Sequence, residues 1–516
     1  MDPVLRFRGI TKRFGALTAN DAVDLDLFPG EITALLGENG AGKTTLMNIL
    51  FGHYMAEEGE IQIRGRDGVL GPLPAGRPEA ALRAGIGMVH QHFTLAQNLT
   101  GFENIVLGTE GLWRPGIGRT RARRRLAELS REVGLEVDLD RPVASLSVGE
   151  KQRIEIFKAL YRHARILILD EPTAVLTPQE VDSLAETIRA LATKGLAIVF
   201  ISHKMREVLS LAHRIVVLRG GRKVADRPAE GADAGLLAEL MVGRPLEAPE
   251  LTKPELSGYQ SAALVKVGAA LPGRDRLIDA TLQLKEGEIV GIAGVSGNGQ
   301  GTLAALFAGL VAPTTGVLTI ASQRIDRPSP AAMIRHGVGR IPEDRHRDGT
   351  VGSLSIAENL ALERLRGRST QKLGFIRRNA LRERAERAIV DYDVRCPGPE
   401  APVRLLSGGN IQKVILARVF EGQPRIVVAH QPTRGLDVLA TAEVQRRLLE
   451  ARSRGAAILL IDEDLDQLMA LADRIAVLHA GRLTRTYPVA ELDQRRIGLM
   501  MAGEAVEPVA SVELVA

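Results

Sequence analysis

The sequence predicts an α/β fold in two tandem copies, and three observations predict it. A glycine-framed loop occurs twice, as GENGAGKT at residues 37–44 and as GVSGNGQG at residues 294–301. In the first half an aliphatic run leads into the loop, and a second aliphatic run ends in a polar pair, Asp170 and Glu171; His430 and Gln431 hold the matching places in the second half. The distance between partners hardly changes along the chain: Gly37 pairs with Gly294, Leu146 with Leu406, Glu171 with Gln431 and Gly243 with Gly503. That register is the mark of a duplicated domain, not of a solenoid, whose repeats run to roughly 20–50 residues. The chain has 516 residues, and a half of such a chain buries about three quarters of its extended surface, so neither half needs covalent staples.

In chain order, residues 31–36 read as a buried strand ending at Gly37, and residues 44–50 as a helix with Gly52 as its stop. Strand, glycine loop and helix form the context that makes GENGAGKT a phosphate-binding loop rather than a chance match. Backbone N–H groups over residues 40–44 point inward, and the helix start adds partial positive charge, so the loop is an anion nest. Lys43 neutralises the β- and γ-phosphates, and Thr44 offers a hydroxyl to Mg²⁺. A ligand-free glycine turn does not account for the complete pattern in this context. Residues 165–170 are a second buried aliphatic strand, typical of a parallel sheet. Asp170 at its tip holds Mg²⁺ through water in this reading, and Glu171 polarises the attacking water. Two adjacent carboxylates there are costly to place without a cation. LSVGEKQ at residues 146–152 precedes a helical stretch at 153–160.

A complete phosphate loop, then LSVGE, then Asp170, Glu171, Pro172 and Thr173, then Ile201, Ser202 and His203 resemble an ATP-binding cassette (ABC) ATPase over nearly the whole chain, twice. The resemblance implies two such domains, at 4–244 and 262–505, with a linker at 245–261 and a tail at 506–516. Each would carry a mixed sheet core, an antiparallel β subdomain and a helical subdomain. It implies ATP and Mg²⁺ as cofactors, with Gly37, Glu38, Asn39, Gly40, Ala41, Gly42, Lys43, Thr44 and Thr45 around the phosphates. By the same resemblance Phe14 stacks on adenine, against a plain reading as a core phenylalanine. Gln91 is the hinge glutamine that touches Mg²⁺ and reports to the membrane partner. His203 is the switch histidine that contacts the γ-phosphate.

The second copy has lost these parts one by one. Gly294, Gly297 and Gly299 keep the frame, but Gln300 replaces the lysine and Gly301 the hydroxyl. Glu343 stands where Gln91 stands, His430 replaces the Mg²⁺ carboxylate, Gln431 the catalytic glutamate and Glu463 the switch histidine. Gln431 cannot act as a base, a role worth roughly 10²–10⁴-fold in rate. Other parts are better preserved than in the first copy. Ser407, Gly408, Gly409 and Asn410 keep both signature glycines, whereas Val148 sits between Ser147 and Gly149 in the first copy. Asp437 keeps an acidic group where the first copy has Thr177. In cassette ATPases the halves pair head to tail, so the resemblance implies one competent site, built from Lys43, Asp170, Glu171, Ser407, Gly408, Gly409, Asn410 and Asp437. The other site, with Ser147 and Gly149 facing the altered loop, would be degenerate.

The motifs GVSGNGQ, IPEDR and QPTRGLD in the second half resemble the importers of simple sugars and nucleosides. The run GMVHQHFTL at residues 87–95 is closer to the nucleoside branch. Implied partners are integral-membrane permease subunits and an extracytoplasmic substrate-binding lipoprotein, with the protein peripheral on the cytoplasmic face of the inner membrane. A non-transport cassette protein acting on the ribosome or nucleic acid is the alternative. The short linker and the lost second lysine argue against it. The net charge of +5 does not call for nucleic acid. The single cysteine, Cys396, allows no intrachain disulfide and suits a reducing compartment. No signal pattern is expected at the N-terminus, and no apolar run approaches the ~20 residues of a membrane helix. The basic run at 119–125 reads as a solvated face preceding a helix, and Trp113 as a loop or packing residue.

Overall fold

The computed structural model describes all residues except 1, 16, 66, 91–92, 110–117, 135–136, 174–175, 177, 203, 244–257, 273–274, 366, 368–369, 373–374 and 504–516. The expected roles of Gln91 and His203, Trp113, most of the linker and all of the tail therefore lie outside the described residues. The chain divides into two compact units, Met1–Glu247 and Ala248–Ala516.

In the first unit, β1 (Leu5–Phe14) and β2 (Leu17–Leu27) pair antiparallel, with Leu5 opposite Leu27. The alternation of Leu5, Arg6, Phe7 and Arg8 puts Leu5 and Phe7 in the core and Arg8 outside. Full burial of a side chain such as Phe7 contributes about 1.5–3 kcal/mol. β4 (Glu58–Arg64) and β5 (Leu70–Pro72) complete this four-stranded sheet. A second sheet contains β3 (Ile32–Leu36), β6 (Ile86–Val89), β7 (Ile166–Asp170), β8 (Ala197–Ile201), β9 (Arg214–Arg219) and β10 (Arg222–Pro228), in the order β10-β9-β3-β8-β7-β6. Only β10 runs antiparallel to its neighbour. Every residue of β3, β7 and β8 is buried, as strands covered on both faces must be. Their carboxyl ends, at Leu36, Asp170 and Ile201, lie side by side along one edge of the sheet, where open α/β sheets bind ligands.

The second unit repeats this order. β11 (Gln260–Ala270), β12 (Arg276–Lys285), β14 (Thr315–Ile320) and β15 (Gln323–Arg324) make the antiparallel sheet. β13 (Ile289–Ala293), β16 (Val338–Ile341), β19 (Ile426–His430), β20 (Ala457–Asp462) and β21 (Arg474–His479) run in the order β16-β19-β20-β13-β21, the counterpart of β6-β7-β8-β3-β9. The short strands β17 (Gln371–Lys372) and β18 (Phe375–Ile376) form a separate ribbon, and β22 (Arg482–Leu483) and β23 (Tyr487–Pro488) both pair with β21. One core cluster packs the sheets, with Leu264, Leu303, Val428 and Leu459. Another joins the helical subdomain to the sheet through Leu360, Ala385 and Ile415.

Residues 119–125 present the expected solvated face, with Arg119, Arg121, Arg123 and Arg124 exposed, but differ from expectation in their element. They do not precede a helix but form the first turns of one, Arg119–Val133. Arginine is a good helix former, and Ala122 and Leu126 face the core. Positive charge at a helix start opposes the macrodipole. Carboxylates offset it: Arg119 pairs with Glu103, and Arg123 with Asp140 while lying 4.9 Å over the Phe102 ring.

Candidate functional site

The loop after β3 needs its glycines. Gly37, Gly40 and Gly42 have φ of 153°, 85° and 97°. A Cβ on Gly42 would stand 2.2 Å from the Ala19 carbonyl, so only glycine lets the loop lie against β2. The helix Lys43–Phe51 starts at once and ends on Gly52, whose N–H reaches the Asn48 and Ile49 carbonyls. Lys43 is buried at the first turn and donates to the Gly37 carbonyl at 2.7 Å and the Glu38 carbonyl at 3.0 Å. Its ammonium therefore lies along the loop floor. Burial lowers its pKa, while Glu171, Asp170 and Glu38 pull it back up. Thr44 is exposed beside it and Thr45 half-buried.

Asp170 and Glu171 lie where β7 ends. Burial, with the Glu171 charge second, pushes the Asp170 carboxyl up to about 6. A carboxylate held that far from its preferred state fits a cation partner, because an adjacent positive charge reverses both effects. Among the described residues no cluster of three histidine, cysteine or acidic side chains is arranged to hold a metal. A Mg²⁺ site needs none, since hydroxyl, water and phosphate oxygens supply most ligands. Glu171 has φ 47° and its N–H bonds the Ile201 carbonyl at 2.9 Å. Gln431 repeats this with φ 45° and a 2.7 Å bond to Ile461. A left-handed non-glycine residue costs about 1–3 kcal/mol. Its retention in both units marks the strand tip as a place where geometry outranks stability.

Phe14 is not a core residue. It is 44% exposed, with Tyr54 edge-on at 5.5 Å and the Lys12 ammonium 5.1 Å over its ring. Tyr54, also exposed, is missed by sequence reasoning because nothing local ties it to Phe14. A second missed group is Glu207, which accepts from Thr173 at 2.6 Å and Ser202 at 3.1 Å and pairs with Lys204 at 3.3 Å. It ties the residues flanking position 203 to the Asp170–Thr173 turn. A third is Glu155, buried in the helix Val148–Tyr161. It accepts from the Thr94 backbone at 2.7 Å and so latches that helix to the segment following position 91.

The two signatures differ in how their helix starts are used. Ser147 and Glu150 form a complete capping box, so the hydroxyl and the third amide bond each other within the turn. Glu150 also pairs with Arg141 at 3.3 Å. Gly149 is buried, and an added Cβ there would have to displace the Glu180 side chain. At the helix Gly408–Phe420, Ser407 makes no capping bond to backbone. Its Oγ accepts instead from the Asn410 side chain at 2.9 Å, and Asn410 accepts from the Arg395 N–H at 2.8 Å. Gly409 has only a 3.7 Å neighbour for an added Cβ. Arg345 reaches the Gly408 carbonyl at 3.4 Å and the Arg434 carbonyl at 2.6 Å, and ties the signature to the loop after β19. Asp437 caps the helix Val438–Ser453 by accepting from the Ala440 N–H at 2.8 Å.

In the second unit Gly297 and Gly299, with φ of 95° and 111°, keep the loop path of Gly40 and Gly42, and Gln300 is buried at the first turn of the helix Gln300–Phe307. A cavity of about 270 Å³ is lined by Gly297, Gln300, Gly301, His430, Gln431 and Glu463, among others. Of the residues expected at the second site, Gly297, Gly299, Gln300, Gly301, His430, Gln431 and Glu463 line this cavity. Within the first unit the structure brings Lys43, Asp170 and Glu171 together.

The fold and these residues define a tandem phosphate-loop ATPase. The ABC transporter family model matches residues 20–174 and 277–434, and the chain belongs to that family. The chain is 39% identical over 505 residues to the nucleoside import ATP-binding protein NupA of Lactococcus lactis subsp. cremoris (strain MG1363), covering 97% of this chain and 98% of the relative. It is 40% identical over 504 residues to the guanosine import ATP-binding protein NupO of Bacillus subtilis (strain 168), covering 98% of each. The glucose import ATP-binding protein TsgD13 of Haloferax volcanii is 39% identical over 533 residues, 97% of this chain and 96% of its own. Among solved structures, an archaeal ribosome recycling factor in complex with a ribosomal stalk protein matches at TM-score 0.63 and 19% identity, covering 96% of this chain and 92% of that one. That likeness shows the fold alone. Among the described residues no helix is long and apolar enough to cross a membrane.

Proposed function

We propose that the chain is the ATP-hydrolysing subunit of an importer for nucleosides or simple sugars, with one competent nucleotide site and one degenerate one. The observation that carries this reading is the contrast between Lys43 beside Asp170 and Glu171 in one unit and Gln300 beside His430 and Gln431 in the other. The family of relatives named for nucleoside, guanosine and glucose import supports the cargo class. The two cassette domains, at 4–244 and 262–505, pair within the chain, and the protein works on the cytoplasmic face of the membrane with permease subunits and an external substrate-binding lipoprotein.

Phe14 stacks on the adenine, and the loop from Gly37 to Thr45 cradles the phosphates with its amides. Lys43 leaves the Gly37 and Glu38 carbonyls for the β- and γ-phosphate oxygens, where charge-assisted bonds contribute about 1.5–3 kcal/mol. Thr44, Gln91 and Asp170 would hold Mg²⁺, which neutralises phosphate charge when bound. Glu171, on its strained turn, orients the attacking water and accepts its proton, while His203 contacts the γ-phosphate. Ser407, Gly408 and Gly409 close the site from the other unit with a hydroxyl and helix-start amides. The test is ATP turnover by the intact chain and its Glu171→Gln variant. Turnover that needs Glu171 supports the reading, and undiminished turnover in the variant contradicts it.

A further inference from the structure

The ribbon of β17 and β18 is anchored at its base and apolar beyond it. Thr370 is buried at the foot, and its carbonyl accepts from the Arg377 N–H at 2.9 Å. Beyond that bond Gln371 lies opposite Ile376 and Lys372 opposite Phe375, and the two strands join no other sheet. Phe375 is 79% exposed and Ile376 53%. Successive side chains of a strand point to opposite faces. The ribbon therefore presents one apolar residue on each face, and both remain exposed. A two-stranded ribbon is marginal in water by itself, and an exposed phenylalanine contributes no burial to it.

The same segment is strongly cationic. Residues 364–378 include Arg364, Arg366, Arg368, Lys372, Arg377 and Arg378 and no carboxylate. Arg377 caps and Arg378 opens the helix Arg378–Asp391; both are exposed, and the first turn holds no acidic residue. Positive charge at a helix start opposes the macrodipole. The counterpart helix of the first unit, Arg119–Val133, also starts with arginines, but there Glu103 and Asp140 neutralise Arg119 and Arg123. Farther along the second helix, Arg382 pairs with Glu386 at 3.0 Å and Arg384 with Glu421 at 2.5 Å. Among the described residues Arg377 and Arg378 have no such partner.

Exposed apolar side chains next to unpaired cations suit one kind of surface. A protein groove covers one face of a ribbon and leaves the other in water. A lipid interface surrounds the tip and takes both faces, and anionic headgroups supply the charge that the arginines lack. We propose that the β17–β18 ribbon inserts Phe375 and Ile376 into an anionic membrane surface, with Arg377 and Arg378 at the headgroups. This deepens the proposed function and rests on it only for the presence of a membrane nearby.

Co-sedimentation of the full chain with permease-free vesicles tests it, with phosphatidylglycerol vesicles beside phosphatidylcholine ones. Binding to the anionic vesicles should be at least roughly tenfold stronger. Equal binding, or none, overturns the proposal. Phe375→Ser with Ile376→Ser, and separately Arg377→Gln with Arg378→Gln, should each weaken anionic-vesicle binding by roughly tenfold or more. Arg121→Gln with Arg124→Gln removes the same charge from the first unit and should change binding by less than about threefold, because headgroup attraction falls off within a Debye length. An equal loss in that control overturns the assignment to the ribbon. The emission that Phe375→Trp adds to that of Trp113 should shift to the blue on anionic vesicles, and an unshifted emission overturns insertion. Ribbon variants that bind vesicles like the parent yet lose import in cells assign the ribbon to a protein partner and overturn the proposal equally. The substituted side chains are exposed and outside the proposed nucleotide site, so ATP turnover should stay within about twofold. The ATPase reading is judged separately from Glu171→Gln, so its failure and the failure of this proposal are distinguishable.

Discussion

Ser147 and Glu150 hold each other across the first turn of the helix Val148–Tyr161, the Ser147 N–H donating to Glu150 at 2.7 Å and the Glu150 N–H to Ser147 Oγ at 3.2 Å. The first signature is thereby spent on stabilising its own helix. Glu150→Ala should lower the stability of the chain by about 0.5–2 kcal/mol, the usual worth of a cap. It should leave ATP turnover within a factor of about two, because the proposed function puts this signature outside the competent site. Chemical denaturation and a steady-state assay on the same preparation check both halves of the prediction.

Arg345 bridges the Gly408 carbonyl and the Arg434 carbonyl and so sets where the second signature begins. Lysine cannot span two acceptors in that way. Arg345→Lys should therefore reduce kcat roughly tenfold with KM for ATP little changed, the pattern of a lost interaction specific to the transition state. A rise in KM at constant kcat would show instead that Arg345 serves nucleotide binding.

Asp462, at the end of β20, is buried; burial pushes its carboxyl up to about 7, although it accepts from the Asp464 N–H. The sign follows from linkage. The folded protein holds this proton more tightly than the unfolded chain, so stability falls as pH rises from about 4 through about 7. Asp462→Asn keeps an acceptor for Asp464 and removes the charge. Its melting temperature should exceed that of the parent at about pH 8, by an amount corresponding to roughly 1–2 kcal/mol, and match it near pH 4. Equal melting temperatures at both pH values would contradict this.

Lys43 is the one side chain in the first loop that combines charge with burial at the helix start. Lys43→Gln, which makes the first loop like the second at this position, should weaken ATP affinity by about 1.5–3 kcal/mol, roughly 10–150-fold. Titration with a fluorescent ATP analogue reads that change directly.

The duplication, the phosphate loop and the two aliphatic strands were legible because local rules dictate them. Gly37 and Gly42 must be glycine for backbone reasons, and β3 and β7 must be aliphatic because both faces are covered. The capping box was also written in the sequence, as serine followed three residues later by glutamate. The spacing was read only as an impaired signature. The Tyr54–Phe14 pair and the Glu155 latch were not legible, because each joins residues from different elements whose meeting depends on packing. The basic run at 119–125 was misplaced by one element. Its charges argued for solvent, but Ala122 and Leu126, which carry the helical period, were overlooked.

In the proposed function, one competent site takes its phosphate loop from the first unit and its signature from the second. Steady-state ATP turnover of Gly408→Val and Val148→Gly, measured side by side, tests it most directly. Gly408 has room for a Cβ, with only the flexible Arg345 side chain at 3.4 Å, so its variant should fold. The account predicts that Gly408→Val loses turnover by at least roughly tenfold while Val148→Gly stays within about twofold of the parent. Undiminished turnover in Gly408→Val, or a large change in Val148→Gly, would contradict it.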